Sequence, residues 1–131
     1  MKSTTASIII AALIIAGALM LSGKQSNPNT LQPRDGENVS VVDGRQIIEI
    51  GAKGGYAPRV TTAAAGLPTT IRVRTSGTFD CSSALVIPAL NYRKNLPPSG
   101  AVEIELPPRE SGYVLQGLCS MGMYNFQVRF Q

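Results

Sequence analysis

Near the end of the chain, residues 117–130 read Gly-Leu-Cys-Ser-Met-Gly-Met-Tyr-Asn-Phe-Gln-Val-Arg-Phe. The second half of this stretch alternates strictly, with Phe126, Val128 and Phe130 separated by polar residues. Such a period of two is typical of a β-strand with one buried face. The first half holds the thiol of Cys119 and two thioethers within five residues. The stretch therefore predicts a strand that is entered through a loop rich in soft sulfur donors.

Upstream of this stretch, short apolar or alternating segments are separated by Gly and Pro. We predict extended segments at residues 46–51, 56–61, 69–75, 83–88, 101–106 and 112–118, and a last strand at 123–130. Residues 63–68 are too short and too broken for a helix, so we expect a turn there. Strands at a spacing of roughly 8–12 residues with such turns are typical of a β-sandwich or barrel.

Composition limits the kinds of partner. The chain has 131 residues, enough for one small domain and a leader. Its 12 Lys and Arg residues outnumber 8 Asp and Glu residues, but no basic run is longer than Arg93-Lys94. Nucleic-acid binding requires clustered positive charge, so we expect no nucleic-acid partner. A role of this charge in approaching an anionic membrane surface or an acidic partner stays open.

The chain contains no histidine. This excludes histidine-based acid–base catalysis and metal binding through imidazole. It also excludes the blue-copper site built from two histidines and one cysteine. Ser82 and Ser83 have no histidine partner for a hydrolase triad. We therefore expect that the protein is not an enzyme.

The N-terminus has the pattern of an export signal. Lys2 precedes a continuous apolar run from Ile8 to Leu21, shorter than the ~20 residues of a typical transmembrane helix. Residues 6–23 are nevertheless long enough for a thin bilayer, and no small-x-small cleavage site is evident. We interpret residues 1–23 as an uncleaved signal anchor in preference to a cleaved signal peptide. Both interpretations place the rest of the chain outside the cytoplasm, in the periplasm or on the outer face of the membrane.

Residues 24–45 are polar and rich in Asn, Gln, Pro, Asp and Gly. Such a segment buries too little apolar surface to order itself, so we predict a flexible linker. Val39, Val41 and Val42 are candidates for a first strand at its end. Residues 46–131 are then the folded domain.

The order of these parts resembles that of cupredoxin-like domains. The resemblance rests on the segments Gly55–Val60, Ala65–Val73, Phe79–Pro88, Leu96–Gly100, Val102–Pro107 and Cys119–Tyr124. It covers about residues 46–131, and it is most similar to a small bacterial branch that handles copper and heavy metals. That branch has a Cys-x-Met-x-Met loop and a cysteine at the upstream ligand position. The chain differs from electron-transfer cupredoxins because both ligand histidines are missing.

The resemblance implies an all-β Greek-key sandwich that binds copper, with Cu(I) favoured because thiolates and thioethers are soft ligands. Its expected ligands are Cys81, Cys119, Met121 and Met123. In an extended segment the last three would face one side, whereas a turn at Gly122 would send one methionine away. We place Met123 slightly ahead of Met121 as a ligand.

Asp80 and Tyr124 are the candidate outer-shell residues, the first as a hydrogen-bond acceptor and the second as a shield beside the loop. Asp80 is equally interpreted as a turn residue that accepts backbone N–H bonds. The implied role is copper trafficking, storage or resistance. The implied partners are a copper donor or acceptor protein, and the membrane through residues 6–23.

Two alternatives stay open. Paired cysteines in an exported protein are commonly a disulfide, so Cys81 and Cys119 could instead staple a structural or interaction domain that holds no metal. Disulfide and metal need not exclude each other, because a dithiol can switch between them with redox state. The second alternative is an electron-transfer protein with an atypical copper centre that contains no histidine.

Overall fold

The computed structural model describes residues 37–131. Its elements are β1 (Val39–Val42), β2 (Arg45–Ala52), β3 (Tyr56–Ala57), β4 (Val60–Ala63), β5 (Thr69–Thr75), β6 (Ala84–Ile87), β7 (Tyr92–Asn95), β8 (Gly100–Leu106), β9 (Val114–Cys119) and β10 (Asn125–Phe130). Short 3-10 turns at Cys81–Ser83 and Pro88–Leu90 flank β6. The predicted anchor, residues 1–23, and linker residues 24–36 lie outside the described residues. Over the described range, no helix is both long enough and apolar enough to cross a membrane.

The strands form two five-stranded sheets. The first has the order β1-β2-β5-β8, with β3 paired to β2, and the second has the order β4-β10-β9-β6-β7. Two of the pairings, β2 with β5 and β4 with β10, are parallel, and the others are antiparallel. The chain passes from one sheet to the other repeatedly, as a sandwich requires. The predicted all-β sandwich is confirmed.

The core lies between the sheets and follows from the alternation of the strands. The inward positions of the first sheet are supplied by Ile48, Ile50, Ile71, Val73, Ile104 and Leu106. Those of the second are supplied by Leu85, Ile87, Leu115, Phe126, Val128 and Phe130. Strand β10 is buried at each of the three apolar positions predicted from its period of two.

Ordered structure begins earlier than the predicted domain start at residue 46. Strand β1 pairs with β2 and places Val39 opposite Ile48. The buried Asn38 amide donates to the Glu49 carbonyl at 3.1 Å and to Thr61 Oγ1 at 2.8 Å. These contacts attach the end of the predicted linker to both sheets. The candidate first strand at Val39, Val41 and Val42 is therefore present, at the end of the segment that we predicted as a linker.

Two other features differ from the predicted strands. The single extended segment at 56–61 is two strands, because the chain changes sheets at Pro58, between β3 and β4. Strand β7 was not predicted. It is an edge strand whose Arg93, Lys94 and Asn95 are exposed, so it lacks the apolar alternation that marks a half-buried strand.

The outer face of the first sheet carries a row of ion pairs. Glu49, Arg72 and Glu103 lie side by side in the register of β2, β5 and β8. The Arg72 guanidinium is 3.1 Å from the Glu49 carboxylate and 2.8 Å from that of Glu103. These partly exposed pairs contribute little stability individually, but opposite charges directly across strands favour the observed register.

Gly117 marks a close approach within the second sheet. It lies opposite Phe126 in the register of β9 and β10. A Cβ atom at residue 117 would overlap the edge of the Phe126 ring, which is fully buried. Only glycine therefore fits beneath this ring.

We predict that Gly117→Ala lowers the free energy of unfolding by about 1–3 kcal/mol, the usual cost of overpacking a core. Chemical denaturation followed by circular dichroism measures this change. The matched control is Gln116→Ala, since Gln116 is the exposed neighbour on the same strand. Equal stability of the two variants would contradict the packing argument.

Candidate metal centre

The pairing of β6 with β9 brings two distant parts of the chain together. The strands are antiparallel, with Leu85 opposite Cys119, and the Ser120 amide donates to the Ala84 carbonyl at 2.9 Å. The beginning of β6 therefore lies beside the end of β9. Because the turn Cys81–Ser83 directly precedes β6, its cysteine lies next to the cysteine that ends β9.

The two cysteine side chains are in direct contact. Their Sγ atoms are 2.6 Å apart, and both residues are free thiols in the structure. This separation is longer than the disulfide bond length of about 2.05 Å and shorter than the contact distance of two unbonded sulfur atoms, so the two thiols lie within reach of a disulfide as well as of a shared cation. Cys119 is completely buried, whereas Cys81 is partly exposed. One sulfur of the pair thus borders solvent and the other belongs to the core.

Asp80 fixes the turn that carries Cys81. Its carboxylate accepts hydrogen bonds from the Gly54 amide at 2.6 Å, from the Ser82 amide at 2.8 Å and from the Ser82 hydroxyl. The hydrogen bonds from Ser82, and then that from Gly54, hold the pKa of Asp80 below its ordinary value. Asp80 therefore caps the turn in the manner of an Asx residue. Its predicted role as an outer-shell acceptor for a metal ligand stays a prediction.

Tyr56 is a positioning residue that the sequence did not reveal. Its hydroxyl donates to the Ser82 carbonyl at 3.0 Å, and its ring packs edge-on against Phe126 at a centroid distance of 5.2 Å. Burial, followed by the charges of Cys119, Cys81 and Asp80, raises its pKa, so the hydroxyl keeps its proton. Tyr56 and Ser82 are 26 residues apart in sequence, so no local pattern signals this bond.

The loop after Cys119 is a tight turn. Gly122 has a φ of 72°, which favours glycine, and its amide donates to the Cys119 carbonyl at 2.8 Å. The predicted extended arrangement, with Cys119, Met121 and Met123 on one face, is therefore replaced by the alternative with a turn at Gly122. Met121 is 79% exposed and Met123 is 65% exposed, while Cys119 is buried.

The environment of Cys119 favours a thiolate. Burial raises the pKa of this thiol, but a hydrogen bond from Cys81 and the backbone N–H groups of Tyr124, Met121 and Met123 outweigh burial and lower it. The Tyr124 amide is 3.4 Å from Cys119 Sγ. The hydrogen bond that the Cys81 thiol donates to Cys119, together with burial, raises the pKa of Cys81. The hydrogen bond between the two thiols therefore shifts their pKa values in opposite directions.

Tyr124 borders the pair on another side. It is half-buried, and a Cβ atom at Gly55 would lie 3.6 Å from its ring. The ring thus covers the backbone at Gly55, while its amide faces Cys119. Its predicted role as a shield for a bound metal stays a prediction.

The donor set at this end of the sandwich consists of sulfur. In the described range, no three His, Cys, Asp or Glu side chains come together at a possible metal site. The turn that follows Cys119 carries two further sulfur side chains, Met121 and Met123, and both are exposed. Two thiolates and one or two thioethers fit a soft cation such as Cu(I). A bond from a thiolate sulfur to a cation is about 2.3 Å long, as for zinc. Two thiolate sulfurs bound to one cation are therefore farther apart than the two cysteine sulfurs in this structure. Cys81 is the partly exposed member of the pair, so a change in its side-chain conformation would widen this distance without disturbing the core.

We predict that Tyr56→Phe lowers the free energy of unfolding by about 1–3 kcal/mol, because it leaves the Ser82 carbonyl without its donor. Urea denaturation of the reduced, metal-free protein measures the loss. Tyr92→Phe is the matched control, since the structure shows no hydrogen bond from the half-buried Tyr92 hydroxyl among the described residues. A loss of the same size in both variants would contradict the positioning role of Tyr56.

The chain is similar to known copper proteins in fold. The family model of the cupredoxin-like domain matches residues 10–128. The metal-binding domain of the Streptococcus pneumoniae D39 Cu(I)-exporting P-type ATPase CopA, solved with Cu(I), matches with a TM-score of 0.63 and 22% identity, covering 71% of this chain and 92% of that one. A copper-binding protein solved in the apo form matches with a TM-score of 0.63 and 22% identity, covering 71% of this chain and 94% of that one. No curated protein matches the sequence.

Proposed function

The chain belongs to the cupredoxin-like domain family, and on that premise we propose that it binds Cu(I) outside the cytoplasm and holds or passes it in copper trafficking, storage or resistance. The observation that carries this proposal is the contact between two free cysteine sulfurs at the end of the sandwich, 2.6 Å apart. The adjoining turn adds the two thioethers of Met121 and Met123. This donor set suits a soft, monovalent cation.

The similar structures support the choice of copper. One is described as a metal-binding domain with Cu(I), and the other as a copper-binding protein. At 22% identity these similarities concern the fold, so the ligands are proposed from this chain's own residues. The sequence resemblance to the branch with a Cys-x-Met-x-Met loop supports the same assignment.

In this proposal each residue has a distinct role. Cys119 is the anchoring thiolate, held in place by β9 and by backbone N–H groups. Cys81 is the second thiolate and closes the site from the solvent side. Met121 and Met123 supply weaker, exchangeable thioether bonds, with Met123 ahead because it is the less exposed of the two. Asp80 and Tyr124 hold the two ligand-bearing turns.

The location and the partner that we propose come from the sequence. We propose that residues 6–23 anchor the domain to the membrane and that a copper donor or acceptor protein is its partner. We further propose that the protein performs no catalysis and binds no nucleic acid. Exposed thioethers beside a partly exposed thiol suit the transfer of a metal between proteins, because weak ligands exchange readily.

We predict that the reduced full chain binds one Cu(I) with both thiols protected from alkylation. Cys81→Ser and Cys119→Ser should weaken this binding by more than the roughly 10–100-fold that loss of an outer-shell residue costs, because each removes a charged ligand. Anaerobic titration against a chromogenic Cu(I) chelator measures the affinity. Met121→Leu and Met123→Leu should each weaken binding less than either cysteine variant.

Phe79→Leu is the matched control for the methionine variants. Phe79 is 83% exposed and lies two residues before Cys81, but it carries no sulfur. Its replacement should leave the Cu(I) affinity unchanged. Failure of the wild-type chain to compete with the chelator, or an affinity that survives loss of both cysteines, would refute the copper function.

The same contact favours one second candidate, a structural sandwich stapled by a Cys81–Cys119 disulfide. Such a bond would close a loop between residues that are 38 apart in sequence. It should stabilise the fold by about 3–4 kcal/mol on the loop-entropy model. This candidate predicts a large loss of stability on reduction and no competition for Cu(I). The electron-transfer alternative instead requires a reversible Cu(II)/Cu(I) couple with intense visible absorption, which a colourless Cu(I)-only protein would exclude.

A further inference from the structure

The two cysteines differ sharply in access although their sulfur atoms touch. Cys81 lies on the 3-10 turn at the edge of the sandwich and is partly exposed, whereas Cys119 is 0% exposed at the inner end of β9. They are the only two cysteines in the sequence. A small molecule in solution can therefore reach one sulfur directly and the other only through the first.

We propose that Cys81 and Cys119 form a thiol–disulfide exchange pair with a fixed order of attack, in which Cys81 reacts with a small disulfide and Cys119 resolves the product. The evidence for the exchange chemistry is the geometry of the pair alone. Its consequence, that the oxidised pair no longer offers thiolates to a soft cation, rests on the proposed function. The redox state of the surroundings would then decide whether the metal centre can bind a cation, and we call this control the gate.

The exchange balances in two steps. The Cys81 thiolate attacks one sulfur of a small disulfide, forms a mixed disulfide at Cys81 and releases one small thiol. The Cys119 thiolate then attacks Cys81 Sγ, forms the Cys81–Cys119 bond and releases the second small thiol. The two cysteines lose two electrons and two protons, which the small disulfide takes up as it becomes two thiols. A dithiol reductant returns the pair to two thiols by the same exchange chemistry and is itself oxidised to a disulfide.

The order of attack rests on access and on proximity. Access decides which sulfur meets the small disulfide, and only Cys81 has it. The second step requires the resolving sulfur to lie against the first, and the 2.6 Å contact provides this without unfolding. Because Cys81 is partly exposed, an adduct on its sulfur can extend into solvent.

The test uses the reduced, metal-free full chain in detergent micelles with oxidised glutathione as the probe. Intact mass spectrometry follows the products with time. The wild-type chain should lose both thiols, form the internal disulfide and accumulate no lasting adduct. Cys119→Ser should accumulate one glutathione adduct, because the resolving thiol is absent. Cys81→Ser should react roughly tenfold more slowly or not at all, since its remaining thiol is buried.

Equal rates of adduct formation in the two serine variants would overturn the order of attack. A wild-type chain that keeps its thiols, or that collects lasting adducts, would overturn the pair itself. Brief alkylation of the wild-type chain, followed by peptide mapping, gives a test that needs no variant. Labelling should begin at Cys81, and labelling that begins at Cys119 would contradict the proposal.

A separate measurement keeps this inference distinct from the copper function. The oxidised chain is titrated with Cu(I) before and after reduction with a phosphine that is then removed. Loss of binding on oxidation, with recovery on reduction, supports the gate. Unchanged binding by the oxidised chain would refute the gate. The reduced chain could show exchange in the expected order and yet bind no Cu(I). That result would refute the copper function and the gate that depends on it, but it would support the exchange pair.

Discussion

The antiparallel pairing of β6 with β9 is the constraint on which the candidate site depends. Its register places Leu85 opposite Cys119, so the turn that precedes β6 meets the end of β9. Two residues 38 apart in sequence thereby bring their sulfur atoms into contact. The core behind them, with Leu85, Leu115 and Phe126 fully buried, fixes this register, because a slip by one residue would turn the apolar side chains of β9 outward.

The two cysteines of the site differ in burial and in the structure that holds them. Cys119 belongs to the core and is surrounded by backbone N–H groups, whereas Cys81 lies on a short turn held by the Asp80 carboxylate and the Tyr56 hydroxyl. In the proposed copper site, Cys119 would be the buried anchor and Cys81 the ligand on the solvent side. The proposed thioether ligand from the exposed Met123 would exchange more readily than a thiolate. The same asymmetry of access underlies the proposed order of thiol exchange.

The sequence predicted those parts of the fold that have local periodicity. Strand β5 has the predicted bounds, and the strict alternation in β8 and β10 gave the correct buried faces. Strand β7 escaped prediction because an exposed edge strand carries no apolar pattern. At the site, the sulfur-rich loop was visible from composition, but the proximity of Cys81 depends on a long-range strand register. Only the family resemblance implied it. The contribution of Tyr56 depends on a hydrogen bond across 26 residues, which no local pattern encodes.

The central claim is that the cysteine pair and its neighbouring thioethers form a sulfur-only Cu(I) centre. X-ray absorption at the copper edge of the Cu(I)-loaded full chain tests it most directly, because the spectrum reports both oxidation state and the atoms bound to copper. We expect Cu(I) with a first shell of sulfur alone, and we expect this shell to be lost in the variant with serine at both cysteine positions. A first shell of oxygen or nitrogen, or an unchanged sulfur shell in the double variant, would contradict it.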